Sequence, residues 1–158
     1  YLAVIQALEK AAELKLEQQK QPSTSVLTPL CFAYSRVKRY QKLFSAYEKF
    51  FILPEATADA DPSWFTYILS VREDAPFTRN ELVTFLNERR IETRNIFAGN
   101  ILRQPAFIDR PCRVEGKLPV TDFIMNNTFF LGTYPGMTEE MFAYVVDCVA
   151  EFTGRYSK

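Results

Sequence analysis

The stretch Phe97-Ala98-Gly99-Asn100-Ile101-Leu102-Arg103-Gln104-Pro105-Ala106-Phe107 packs amides, a guanidinium, a glycine and a proline between runs of ordinary core-forming residues. Asn100 and Gln104 each donate and accept hydrogen bonds, and Arg103 offers a planar fork of donors suited to a phosphate or a carboxylate. Gly99 and Pro105 forbid an uninterrupted helix or strand, so these groups arrive on a loop. From the residues alone two readings stand: a ligand-facing loop, or a wide solvated connection whose amides satisfy their own backbone.

Other chemistries are excluded by composition. The chain has no histidine, which removes Ser-His and Cys-His catalysis, a histidine general base and a His-bearing zinc site from this chain acting alone. Cys31, Cys112 and Cys148 are odd in number and far apart, which argues against a disulfide framework and a closely spaced metal cluster. No catalytic residue and no metal ligand is assigned. Lys+Arg and Asp+Glu both total 19, so there is no electrostatic footprint for nucleic acid or an anionic membrane. No apolar run reaches the length of a membrane span and no signal peptide opens the chain, so a soluble, cytoplasmic protein is expected. The chain starts at Tyr1 without an initiator methionine, and a piece of something longer is expected.

The elements that must position the loop follow from periodicity. At 158 residues, 47% hydrophobic and 15% aromatic, the chain can bury one real core. Ile5, Leu8, Ala12 and Leu16 predict a helix from Leu2 to Lys20. Gln21 to Ser25 reads as linker, and Pro29 keeps Val26 to Leu30 from reading as a firm element. Val37, Tyr40, Phe44, Tyr47 and Phe51 fall on one helical face between Ser35 and Phe51, opposite the basic Arg36, Lys38, Arg39 and Lys42. Trp64 to Val71 alternates as a strand, and Thr78-Arg79-Asn80-Glu81 has the form of a capping box opening a helix to about Arg90. Ile91 to Phe97 predicts a short strand leading into the loop. Thr121 is expected to cap a short helix, Thr128 to Tyr134 to form a last strand, and Thr138 to cap a final helix with Met141, Val145, Cys148, Val149 and Phe152 as its buried stripe. Strand, helix, strand, loop, short helix, strand, helix is an α+β order: a small, mainly antiparallel sheet covered by helices on one face. Residues 1–35 are expected to be an N-terminal helix and linker, and 36–158 the α+β domain.

The motifs Asp61-Pro62-Ser63-Trp64-Phe65, Arg72-Glu73-Asp74-Ala75-Pro76-Phe77-Thr78-Arg79-Asn80-Glu81-Leu82-Val83, Ile91-Glu92-Thr93-Arg94, Phe97-Ala98-Gly99-Asn100, Arg103-Gln104-Pro105, Thr121-Asp122 with Ile124-Met125-Asn126, and Thr133-Tyr134-Pro135-Gly136 occur in that order. Over roughly residues 36 to 153 they resemble the C-terminal part of the CDP-4-dehydro-6-deoxyglucose 3-dehydratases, of the DegT/StrS-type sugar aminotransferase family. The resemblance implies the small C-terminal domain of an aspartate-aminotransferase fold, with the large cofactor domain absent from this chain. It implies a homodimeric parent using pyridoxamine or pyridoxal phosphate, with an iron-sulfur cluster, to remove the C3 hydroxyl of a CDP-sugar on the way to dideoxyhexoses of surface polysaccharide. This chain alone would bind no cofactor and be inactive. In that setting Arg94 and Arg103 are candidates for the substrate diphosphate and Asn100 for a sugar hydroxyl. Thr66-Tyr67 and Asn95-Ile96 depart from the family pattern beside this loop. The alternatives are the small domain of a sugar aminotransferase, or a non-catalytic module derived from the family that binds a partner or a nucleotide-sugar.

Overall fold

In the computed structural model of the chain, residues 27–60, 62 and 64–156 are described, with side chains from residue 35 onward. The helix and linker expected before Leu27 lie outside these residues. The first described helix, α1 (Leu27–Phe44), begins earlier than its apolar stripe announces. Pro29 lies within this helix, so it does not keep the stretch around it from being helical. Val37, Tyr40 and Phe44 form its buried stripe. The helix stops at Phe44, short of the expected Phe51, because a 3-10 turn at Ser45–Tyr47 swings the chain into strand β1 (Phe51–Ile52). Phe51 is fully buried, but as a strand residue opposite Val71.

Strand β2 (Thr66–Val71) is central, and the sheet order is β1-β2-β4 (Thr128–Gly132)-β3 (Thr93–Asn95) with every pairing antiparallel. Its alternation does what the period of two requires: Tyr67, Leu69 and Val71 enter the core, whereas Phe65 lies before the ladder and is exposed. Helix α2 (Arg79–Glu88) carries the expected capping box, with Thr78 and Glu81 bonded reciprocally. The strand foreseen from Ile91 to Phe97 contracts to β3 (Thr93–Asn95). The residues before it close the end of α2, with Arg90 N–H donating to Asn87 O at 2.9 Å and Ile91 N–H to Leu86 O at 3.0 Å.

Helix α3 (Pro119–Asn127) is begun by proline, not capped by Thr121; Leu118 precedes it in a left-handed conformation, and Pro119 supplies a ready-made helical φ. Strand β4 (Thr128–Gly132) pairs with both β2 and β3. Thr138 caps α4 (Glu139–Gly154) by accepting from Met141 N–H. The stripe of α4 is Phe142, Val145, Cys148, Val149 and Phe152; Met141 instead faces out, so the apolar phase begins one residue later than expected. One continuous core joins α1, α2 and α4 to the Tyr67, Leu69, Phe129 and Leu131 face of the sheet. On the opposite face, Phe65 and Phe97 pack edge-on to Phe130, with centroids 6.3 and 5.7 Å apart. The α+β architecture is as the residue pattern predicts.

Candidate functional site

The loop after β3 is built by two successive left-handed residues, Ala98 and Gly99. Glycine is required at the second: a Cβ there would stand 2.5 Å from Met125 Cγ on α3. This close approach sets the loop directly against α3. Asn100 then caps a 3-10 turn at Ile101–Arg103, its Oδ1 accepting from Leu102 N–H at 3.1 Å. Gln104 ties the ends together by donating to Ala98 O at 2.7 Å.

That turn aims Arg103 at Asp122, in the first turn of α3. Arg103 donates from Nε to Oδ1 at 3.2 Å and from Nη2 to Oδ2 at 2.9 Å, a bidentate fork. Asn100, 2% exposed, donates from Nδ2 to the same Oδ1 at 2.7 Å. Hydrogen bonds from Arg103 and Asn100 hold the Asp122 carboxyl below its ordinary range, and the bond to Asp122 raises the Arg103 guanidinium. The Arg103 side chain remains 58% exposed, with its Nη1 edge turned from the carboxylate. The arrangement presents a fixed cation to solvent: it can bind and orient an anion, and its carboxylate is committed to holding that cation.

Asn100 and Arg103 are therefore brought together, but by Asp122, which the sequence reading quoted only within a motif. The signal for it is a lone acid at the start of a helix facing a loop cation. Buried, with its Oδ1 accepting from Leu102 N–H and its Nδ2 donating to Asp122, Asn100 acts as a bracket for Asp122. Arg94 stands apart, on β3 opposite Phe130 in register, with Nη2 at 2.7 Å from Glu92 Oε1. Arg79 was also missed as a positioning group. Its side chain crosses from α2 to donate to Asn126 O at 3.1 Å and Met125 O at 3.2 Å, and to Asn95, clamping β3 against the end of α3; burial lowers its guanidinium from the ordinary value. Asn95, one of the departures from the family pattern, thus serves as an acceptor. At the other, Tyr67 stacks on Tyr40 at 5.0 Å and Thr66 donates to Leu131 O at 2.6 Å, so both substituted residues are absorbed into packing.

Residues 34–150 match the DegT/DnrJ/EryC1/StrS aminotransferase family. Among curated proteins, the chain is 50% identical over 106 residues to the lipopolysaccharide biosynthesis protein RfbH of Salmonella typhimurium, covering 67% of this chain and 24% of that protein. It is 45% identical over 106 residues to the dTDP-4-dehydro-2,6-dideoxy-D-glucose 3-dehydratase of Saccharopolyspora spinosa, covering 67% of this chain and 23% of that one. The chain thus spans about a quarter of the length of these relatives. Among solved structures, an aminotransferase from Psychrobacter cryohalolentis shares the fold with a TM-score of 0.70 at 15% identity, over 81% of this chain and 35% of that chain. An E. coli GDP-4-keto-6-deoxy-D-mannose-3-dehydratase with bound hydrated PLP does so with a TM-score of 0.61 at 21% identity, over 74% of this chain and 30% of that chain.

Proposed function

From the premise that this chain belongs to the DegT/DnrJ/EryC1/StrS aminotransferase family, we propose that it is the small domain of a B6-dependent nucleotide-sugar 3-dehydratase acting on a CDP-4-keto-6-deoxyhexose. The observation that carries the dehydratase reading is the 45% identity to a 3-dehydratase across 67% of this chain. The domain's part in the reaction is to present cations to the substrate. Arg103, held by Asp122 and bracketed by Asn100, and Arg94 on β3 are assigned to the diphosphate. Positioning an anion this way lowers the entropic cost of reaching the reactive geometry, because the fork is already oriented.

The described residues do not fit the B6 cofactor or a cluster. The chain has no histidine, Lys38, Lys42, Lys49 and Lys117 all sit at exposed positions, and Cys112 is exposed while Cys148 is buried in the core. Pyridoxamine phosphate, which supplies the electron sink for C3 dehydration, and an iron-sulfur cluster are therefore assigned to the rest of a longer protein, and no step is derived through them here. The same reading makes this chain inactive alone, makes the longer protein a homodimer and places it in the cytoplasm; no described helix is long and apolar enough to cross a membrane.

The test is a chimera in which this domain replaces the matched quarter of the Salmonella relative, assayed for dehydration of a CDP-4-keto-6-deoxyhexose. Turnover that falls sharply with Arg103→Ala is the expected result. A folded, cofactor-loaded chimera that binds the substrate but leaves its C3 hydroxyl in place would sink the dehydratase assignment.

A further inference from the structure

The two arginines assigned to the diphosphate each carry a carboxylate, and the two carboxylates are held differently. Asp122 sits in the first turn of α3 and keeps one oxygen on each arm of the Arg103 fork, with Oδ1 also taken by Asn100 at 2.7 Å. Glu92 stands just before β3, and its Oε1 alone accepts both from Arg94 Nε at 2.9 Å and from Arg94 Nη2 at 2.7 Å. Among the described residues the Glu92 side chain makes no other hydrogen bond or ion pair. Arg94 and Glu92 are mostly in solvent, their side chains 65% and 75% exposed, against 27% for Asp122.

The backbone beneath the Glu92–Arg94 pair is fixed independently of it. Thr93, between the two, donates from its N–H and its hydroxyl to Asn87 Oδ1 at 3.2 and 3.3 Å, and Arg94 is in register with Phe130 of β4. Residues two apart on an extended chain point to the same side, so the pair forms and parts by side-chain rotation alone. Parting costs little, because both groups return to water and surface pairs of this kind are weak. Nε and Nη2 form one fork of the guanidinium, and a phosphate that takes this fork must displace Glu92.

We propose that Glu92 is a resident competitor at Arg94: it occupies the fork in the unbound domain, is displaced by the substrate's phosphate, and so sets affinity below what Arg94 alone would give. The inference rests on the diphosphate assignment above. Affinity is reduced by the fraction of molecules in which the fork is closed, which for a surface pair amounts to about two- to fivefold. The full 158-residue chain would be titrated with inorganic pyrophosphate while the Arg94 Nε–H resonance is followed by NMR. Pyrophosphate should shift that resonance. Glu92→Asp keeps the charge but draws the carboxylate back by a methylene, and should tighten pyrophosphate binding about two- to fivefold. In an Arg94→Ala background, read by calorimetry, the same substitution should change nothing. A gain that persists there, equal affinity in the parent and Glu92→Asp, or an Arg94 resonance that pyrophosphate leaves in place overturns the proposal. The chimera described above separates this inference from the diphosphate reading. In it Glu92→Asp should lower KM for the nucleotide-sugar by the same factor and leave kcat in place. If Arg94→Ala leaves KM unchanged while pyrophosphate still displaces Glu92, the assignment of Arg94 to the diphosphate falls and the competition stands. If Arg94→Ala raises KM and Glu92→Asp does not lower it, the competition falls and the assignment stands.

Discussion

Gly99→Ala separates two physical reasons for one glycine. The residue has a φ of +57°, and the new Cβ would meet Met125 at 2.5 Å from Cγ, 3.0 Å from Cβ and 3.1 Å from Sδ. Left-handed backbone costs an alanine about 1–2 kcal/mol. Its neighbour Ala98 already adopts φ +58°, so this chain tolerates that cost once and the lower figure applies. Overpacking adds about 1–3 kcal/mol, because Met125 can move only by disturbing the α3 contact that Arg79 clamps. The sum is about 2–4 kcal/mol, and at roughly 2–4 °C per kcal/mol for a chain of this size the melting temperature should fall by roughly 5–15 °C. Thermal unfolding followed by circular dichroism reads the drop. In a Met125→Ala background the Cγ and Sδ contacts vanish and only the 3.0 Å approach to Cβ remains, so the same glycine substitution should cost less, about 1–2 kcal/mol. Equal losses in the two backgrounds, or a fall of less than about 2 °C in the parent, would refute the account of how the loop is seated.

Two further outcomes follow from the caps and charges. Because Arg103 and Asn100 depress the Asp122 carboxyl, that group adds stability above its unfolded value near pH ~3.9 and loses it as pH falls through the lower folded value. The melting-temperature difference between the parent and Asp122→Asn should therefore be constant above about pH 4 and shrink below it; a difference unchanged down to pH ~2 would contradict the pairing. Thr78→Ala removes the acceptor for Glu81 N–H at the start of α2 and should cost about 1 kcal/mol. The Glu81 carboxyl is held low first by the Thr78 N–H and then by its hydroxyl; in that variant the N–H remains and the hydroxyl is lost, so Glu81 should titrate part of the way back toward its ordinary value by NMR.

What was legible in the sequence was whatever depends on near neighbours. The capping box of α2, the alternation of β2 and the stripes of α1 and α4 follow from residues a few positions apart. The misplacements have a common source in distant partners. Phe51 continues a helical stripe on paper, but pairing with Val71 takes it into a strand. Ile91 alternates like a strand residue, but the end of α2 claims its N–H. The polar loop was visible through its glycine, proline and amides, and its placement was not. That Asn100 faces Asp122 and not solvent depends on α3 passing alongside, which no local pattern encodes. Arg94 and Arg103 share a residue type and a proposed ligand, yet one stands on an edge strand with Glu92 and the other on a loop with Asp122.

The central pairing of the sheet joins Leu69 to Phe129 and Ser70 to Thr128, so residues 72–127 leave and return at adjacent points of one ladder. The polar loop, α2, β3 and α3 all lie within that excursion. Closing it carries the loop entropy of a non-local pairing, which is recovered only when Ser70 and Thr128 come side by side. Once closed, its length hardly matters: the cost grows with the logarithm of the number of residues, and ten more between Pro105 and Leu118 would add only on the order of 0.1 kcal/mol. Relatives can therefore lengthen, shorten and rewrite this excursion, and with it the groups shown to a ligand, while the ladder beneath keeps its register.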